Sequence, residues 1–136
     1  MARKGNKYKA RKTIVDGLTF DSSKEAERYL DLKEQAEKGQ IRALKLQVPY
    51  ELIPNQYIPI DEVYKKGPKK GQKKLKLQER SVSYIADFVY EKKNEDGTYE
   101  EIVEDVKGYK KGAAYSIFKI KKKMMLDRYG IIVSEF

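Results

Sequence analysis

The sequence predicts a single α/β domain, and three observations carry that prediction. At 136 residues the chain fits one domain, and at that size about two thirds of the unfolded surface can be buried, enough for one core. Hydrophobic period and turn residues give the element order β, α, β, β, β, α, β. No internal repeat interrupts that order.

In chain order, residues 2 to 12 carry six basic side chains and no acidic one. They are too polar to pack, so a flexible basic arm is expected over 1–12 ahead of a domain over 13–136. Asp16-Gly17 between the apolar stretches of Thr13 to Phe20 signals a hairpin. Asp21-Ser22-Ser23 then precedes a run of helix formers that Gly39 stops, which predicts a helix over Ser23 to Lys38. Ile41 to Ile53 reads as one or two strands around Pro49, which belongs at a bulge or an edge because it cannot donate to a ladder.

From Asn55 to Arg80 the pattern dissolves, and a basic loop or flexible hairpin is expected at about 55–80. It has eight basic residues against Glu79 alone between Tyr64 and Arg80. Ser81 to Tyr90 is the clearest strand: alternation puts Val82, Tyr84, Ala86, Phe88 and Tyr90 on one face, and Ser83, Ile85, Asp87 and Val89 on the other. Asn94 to Gly97 turns the chain into a second strand, Tyr99 to Lys107, which Gly108 ends. Ala113 to Tyr129 reads as a helix and Ile131 to Ser134 as a closing strand.

Composition excludes more functions than any motif does. The 30 Lys and Arg against 21 Asp and Glu give a net charge of +9, which favours phosphate backbones or anionic membranes as partners. A membrane role would need an apolar run of about 18 residues, and a signal peptide an apolar h-region. Neither is present, so an intracellular, soluble protein with no membrane partner is expected. With no Cys and no His, thiolate nucleophiles, imidazole bases and the commoner zinc sites are absent. Any metal must be held by oxygen, which points to magnesium, manganese or calcium.

Side chains alternate along a strand, so Asp105 and Lys107 share a face about 6.6 Å apart. If Ser81–Tyr90 pairs with Tyr99–Lys107, Asp87 adds a second carboxylate to that spot. Two carboxylates, water and a phosphate oxygen suit a magnesium ion, which keeps several waters and takes few protein ligands. The competing reading of the Asp-Val-Lys triplet is a solvated strand face with an incidental ion pair.

Glu25 also has two readings. Ser22-Ser23-Lys24-Glu25 matches a capping box, yet Glu25 shares the inward stripe of Tyr29, Leu32 and Ala36, where a carboxylate needs a partner. Lys121 falls at the centre of the stripe formed by Ala114, Ile117, Phe118, Met124 and Met125, where it either snorkels to water or reaches for a phosphate. Lys119, Lys122 and Lys123 read as a solvated face that would also suit phosphate contacts.

The succession Phe20-Asp21-Ser22-Ser23-Lys24-Glu25-Ala26, Gln47, Tyr84-Ile85-Ala86-Asp87-Phe88 and Glu104-Asp105-Val106-Lys107-Gly108 resembles the PD-(D/E)xK nuclease superfamily. Within it, the chain is similar to small phage and prophage proteins related to resolvases, and to the amino-terminal nuclease domain of the heteromeric Tn7-type transposase. The resemblance covers roughly Thr13 to Glu135. Ala86 stands where the superfamily's name has proline, and Pro49 lies two residues after Gln47 rather than next to it.

The resemblance implies a restriction-endonuclease-like core, a mixed central β-sheet flanked by helices. It implies Asp87, Asp105 and the Val106 carbonyl as metal ligands, Lys107 as the catalytic lysine, and Glu25 as a catalytic carboxylate and further ligand candidate. Gln47 is implied to approach the site. The cofactor expected is Mg2+, with Mn2+ able to substitute.

The leading expectation is then a magnesium-dependent DNA endonuclease that binds DNA through Lys65, Lys66, Lys69, Lys70, Lys73 and Lys74 and through Lys119, Lys121 and Gln47. Branched DNA such as a Holliday junction is the preferred substrate, in phage recombination or replication, and symmetric cutting calls for a homodimer. A phage- or prophage-encoded protein in the bacterial cytoplasm is expected. The competing functions are a non-catalytic nucleic-acid-binding protein and a nuclease subunit of a mobile-element transposition complex.

Overall fold

In the computed structural model, which describes residues 12–136, Asp16-Gly17 turns β1 (Thr13–Val15) into β2 (Leu18–Phe20) as expected. Apart from Lys12, the expected basic arm lies outside the described residues. Ser22 caps α1 (Ser23–Glu37) by accepting the Glu25 N–H on Oγ at 3.1 Å. At the other end Gly39, at φ 74°, donates to Ala36 while Gln40 donates to Gln35, a Schellman closure. There follow β3 (Ile41–Ile53), β4 (Gln56–Val63), β5 (Lys73–Glu79), β6 (Val82–Lys93), β7 (Tyr99–Asp105), α2 (Ala113–Tyr129) and β8 (Ser134–Glu135).

The central sheet is mixed, in the order β3-β6-β7-β8, with only the β7–β8 pair parallel. β3 is one strand on the sheet's edge, where the missing N–H of Pro49 is tolerated opposite Ile85. Its bulges fall at Arg42–Lys45 and Glu51–Ile53, not at the proline. The helices take opposite faces of β7: Glu104 meets Arg28 of α1, and Val103 packs with Phe118 of α2. Among the described residues no helix is long and apolar enough to cross a membrane.

Four boundaries or faces sharpen or depart from expectation. Of the two readings of the stretch at 55–80, loop or hairpin, the hairpin holds: β4 and β5 form a separate antiparallel pair in which Tyr57↔Leu77 and Pro59↔Leu75 align as cross-strand apolar pairs. β7 stops at Asp105 rather than Lys107, because the next N–H, that of Val106, goes to the Asp87 carboxylate at 2.9 Å instead of to the β6 backbone. β8 starts at Ser134 rather than Ile131, since Gly130 and Ile131 still donate back to Leu126 and Met125 and so belong to the end of α2.

The fourth difference is that strict alternation along β6 fails. Phe88 and Tyr90 pack under α1 with Ala26, Leu32 and Ile41, whereas Tyr84 and Ala86 join Val89, Val103 and Met125 on the α2 side. The partner strand switches at the same place: Leu46 belongs to the α1 cluster, Val48 and Tyr50 to the α2 cluster. Between them Gln47 has φ 52°, a left-handed residue that interrupts the pleat. Leu46↔Phe88 and Val48↔Ala86 set Gln47 opposite Asp87, so the crossing point of the two cores is where Asp87 sits.

Candidate functional site

The chemistry of the chain gathers where β6 and β7 part. Phe88↔Glu104 is the last pair of their ladder on this side, and one residue beyond it on each strand stand Asp87 and Asp105. Asp105 is 5% exposed and Lys107 Nζ lies 3.0 Å from its Oδ2, so the two do share a face as the spacing predicts. The alternative of a solvated strand face is thereby ruled out for Asp105. The Lys107 ammonium also lies 3.8 Å from the Phe118 ring centroid, which holds its stem over α2.

Asp87, Asp105, Lys107 and Lys121 line one cleft of about 320 Å³ together with Ser83, Tyr84, Ile85 and Phe118. Lys121 reaches into it from α2 and donates to the Ser83 carbonyl at 2.9 Å. A larger hollow of about 450 Å³ at Gln35, Gly39, Lys92 and Glu95 brings together no pair of acids.

Electrostatics mark the cleft. Burial raises the Asp87 carboxyl to about 8, and a hydrogen bond and charge from the neighbouring Asp105 push the same way, against the Val106 N–H that favours the anion. Burial also raises Glu25, helped by the charges of Asp21 and Asp105. The Tyr84 hydroxyl is raised by burial and then by Asp105, and it is buried without a hydrogen-bond partner among the described residues. Two carboxylates, one of them raised partly by the other, and a buried hydroxyl without a partner among the described residues gather oxygen donors at one place.

That set fits a hard divalent cation. Phe136 N–H donates to the Asp105 carbonyl at 2.8 Å and Lys107 N–H to the Phe136 carbonyl at 3.0 Å, so the backbone on both sides of Val106 is tied to the C-terminal strand. In the trans peptide between Val106 and Lys107 the carbonyl points away from the Lys107 N–H, which is on Phe136, so the Val106 carbonyl faces the β6 side, as its N–H does on Asp87. Two carboxylates and a main-chain oxygen suit magnesium, which keeps waters in its remaining positions. Among the described residues no group of three acidic side chains is gathered closely enough to hold a metal ion.

Glu25 is instead connected at one remove. It is 6% exposed and lines a neighbouring hollow with Phe20, Asp21 and Gln47. The Gln47 amide donates to Glu25 Oε1 at 3.2 Å and to Asp87 Oδ1 at 3.3 Å, bridging the two carboxylates. Ser22 Oγ caps the helix through the Glu25 N–H, and the Glu25 side chain is buried beside Gln47.

Other expected residues are not gathered there. Lys119 is exposed on α2 and borders an apolar hollow with Leu126 and Ile132. Lys65, Lys66, Lys69, Lys70, Lys73 and Lys74 all belong to the β4–β5 hairpin and its turn, outside the cleft.

Sequence reasoning missed a supporting group. Arg28 Nη2 and Nε bond the Glu104 carboxylate at 2.7 and 2.9 Å, Tyr90 Oη donates to the same carboxylate at 3.1 Å, and the guanidinium lies 4.0 Å from the Phe136 ring centroid. Lys24 Nζ donates to the Lys107 carbonyl at 2.8 Å. α1 therefore grips β7 on either side of Asp105. A carboxylate at 104 on the face of Ile102 was the one available signal, because it demands a cation; which cation was not readable across 76 residues.

Fold and cleft together define a mixed α/β domain with an acid–acid–lysine site at the parting of two central strands. The chain belongs to the family described as a protein of unknown function, DUF1064, whose model matches residues 5–135. Comparison with curated proteins and with solved structures gives no match.

Proposed function

We propose that the protein is a magnesium-dependent DNA endonuclease, and the observation that carries this is one cleft that joins half-buried Asp87 to buried Asp105, with Lys107 Nζ 3.0 Å from the Asp105 carboxylate. A strongly basic chain with a net charge of +9 is suited to a polyanionic substrate. The PD-(D/E)xK resemblance assigns the same residues on independent grounds.

Magnesium at this site, or manganese in its place, would polarise the scissile phosphodiester and stabilise the charge that develops on it. Asp87 and Asp105 would hold the ion through their carboxylates and Val106 through its carbonyl. Lys107, already aimed at Asp105, orients the attacking water and assists its deprotonation. Lys121 presents a second ammonium to the phosphate from the opposite wall. Gln47 fixes the Asp87 carboxylate against Glu25, keeping its orientation toward the cleft.

Branched DNA, the four-way junction in particular, is the substrate we infer, from the resemblance to resolvase-related proteins; symmetric cutting would be the work of a homodimer. The test offers linear duplex, flap and four-way junction with magnesium to the wild type, Asp87→Asn and Lys107→Ala. Cleavage of the junction that both substitutions lower by at least about 100-fold, with binding in EDTA retained, is expected. Equal or preferential cutting of linear duplex would sink the junction assignment. No metal-dependent cutting of any substrate would leave a nucleic-acid-binding protein instead.

A further inference from the structure

The β4–β5 hairpin forms its own two-stranded sheet, separate from the central one. Between Gln56 and Arg80 it carries eight basic side chains against Asp61, Glu62 and Glu79, more than half of the chain's net charge of +9. A two-stranded hairpin is marginal by itself in water. This one is closed at both ends.

At the base, Ser81 N–H donates to Asn55 Oδ1 at 2.7 Å. At the tip, Tyr64 N–H donates to Gln72 at 3.0 Å and Gly71 N–H to Tyr64 at 2.9 Å, while Lys70 donates to Gly67 and Gln72 to Lys69. Gly67 and Gly71 both take φ 86°, and nothing lies within 4 Å of where a Cβ would stand. Backbone angle rather than crowding requires glycine at these two places.

This closed turn sets Lys65-Lys66 and Lys69-Lys70 on either side of Gly67-Pro68, all exposed and, among the described residues, none in an ion pair. Lys73 and Lys74 differ: they face Asp61 at 3.8 Å and Glu62 at 2.9 Å across the stem. The sequence grouped all six as one basic run. In the fold four are available to a partner and two are engaged within the hairpin.

We propose that the tip is a preorganised finger for the phosphate backbone of duplex DNA, gripping through Lys65, Lys66, Lys69 and Lys70, while Lys73 and Lys74 stiffen the stem. Charge complementarity selects a polyanion. The tip selects DNA over a lipid surface, because from Lys65 to Lys74 the only apolar side chain is Pro68 and nothing there could enter a bilayer. Backbone hydrogen bonds hold the four charges in place before binding, which lowers the ordering cost on contact. The choice of DNA rests on the proposed function, but the finger itself needs no catalysis.

The experiment measures anisotropy of a labelled duplex in EDTA across a salt series. It compares wild type with the quadruple Lys65→Gln, Lys66→Gln, Lys69→Gln, Lys70→Gln variant and with Lys73→Gln/Lys74→Gln. Removing one lysine–phosphate pairing lowers the slope of log affinity against log salt by about 0.9, so the quadruple variant is expected to drop by up to about 3.6 in slope. The double variant should change it by less than about 1. A quadruple variant that keeps the wild-type slope, or a double variant that drops as far, overturns the proposal. So does a quadruple variant whose weakening is confined to phosphatidylserine vesicles. Because binding is read without metal, absence of cleavage would count against the nuclease reading alone.

Discussion

Replacing Arg28 by Met should be strongly destabilising, although Arg28 lies outside the cleft. The Arg28 and Glu104 side chains are 12% and 4% exposed, and the guanidinium makes two bonds to one carboxylate, at 2.7 and 2.9 Å. Its pKa is raised above the already high arginine value chiefly by that bond, in spite of desolvation. Removing the cation leaves Glu104 buried with Tyr90 as its remaining donor, at 3.1 Å. Breaking one side of a buried pair costs about 3–5 kcal/mol. With a urea dependence of about 1–3 kcal/mol per molar, the midpoint of unfolding should fall by at least about 1 M.

Replacing both partners, Arg28→Met with Glu104→Met, should cost much less than the sum of the single changes, because no charge is then left unpaired. Equilibrium unfolding of the four proteins of this cycle measures the coupling. A single Arg28→Met cost below about 1 kcal/mol would refute the argument, since a pair so weak behaves as a surface ion pair.

Two further substitutions test the ground around Asp87. Gln47→Gly should leave stability unchanged or raise it by up to about 1 kcal/mol, because glycine adopts φ 52° without the left-handed cost, while Gln47→Val should be clearly worse; urea unfolding decides, and a Gly variant less stable than the Val variant would contradict the backbone reading. Tyr84→Phe should raise the melting temperature of the metal-free protein, since it removes a buried hydroxyl with no partner among the described residues, worth about 1 kcal/mol or more; a lower melting temperature would show that the hydroxyl is satisfied after all.

Local signals in the sequence carried most of the elements. Asp16-Gly17 and Gly39 specify backbone angles through their own chemistry, and both ends of α1 fall within a residue of expectation. The Asp105–Lys107 face followed from strand period alone and holds at 3.0 Å. What local pattern could not supply were features set by distant partners. Nothing near Val106 in sequence indicates that Asp87, nineteen residues away, would take its N–H and end β7. Nothing near Lys73 indicates that Asp61 and Glu62 would engage two lysines of a uniform run. At 55–80 the choice between loop and hairpin stayed open for a related reason: the lysines mask a cross-strand register that only pairing reveals.

The failure of alternation at Gln47 and the position of the site have one physical origin. A continuous antiparallel pair buried on one face would carry its even-numbered residues into a single core, leaving Asp87 and Gln47 together on the other face. Here the left-handed turn of Gln47 moves Val48, Tyr50, Tyr84 and Ala86 into the α2 cluster while Leu46, Phe88 and Tyr90 stay with α1. At the crossing neither core closes over Asp87, which leaves room for Gln47 to bridge it to Glu25 on one side and for the cleft with Asp105 on the other. A backbone strain of about 1–3 kcal/mol at one non-glycine residue is the kind found at functional sites. It brings carboxylates from α1, β6 and β7 to one place, Asp87 and Asp105 in the cleft and Glu25 tied to Asp87 through Gln47.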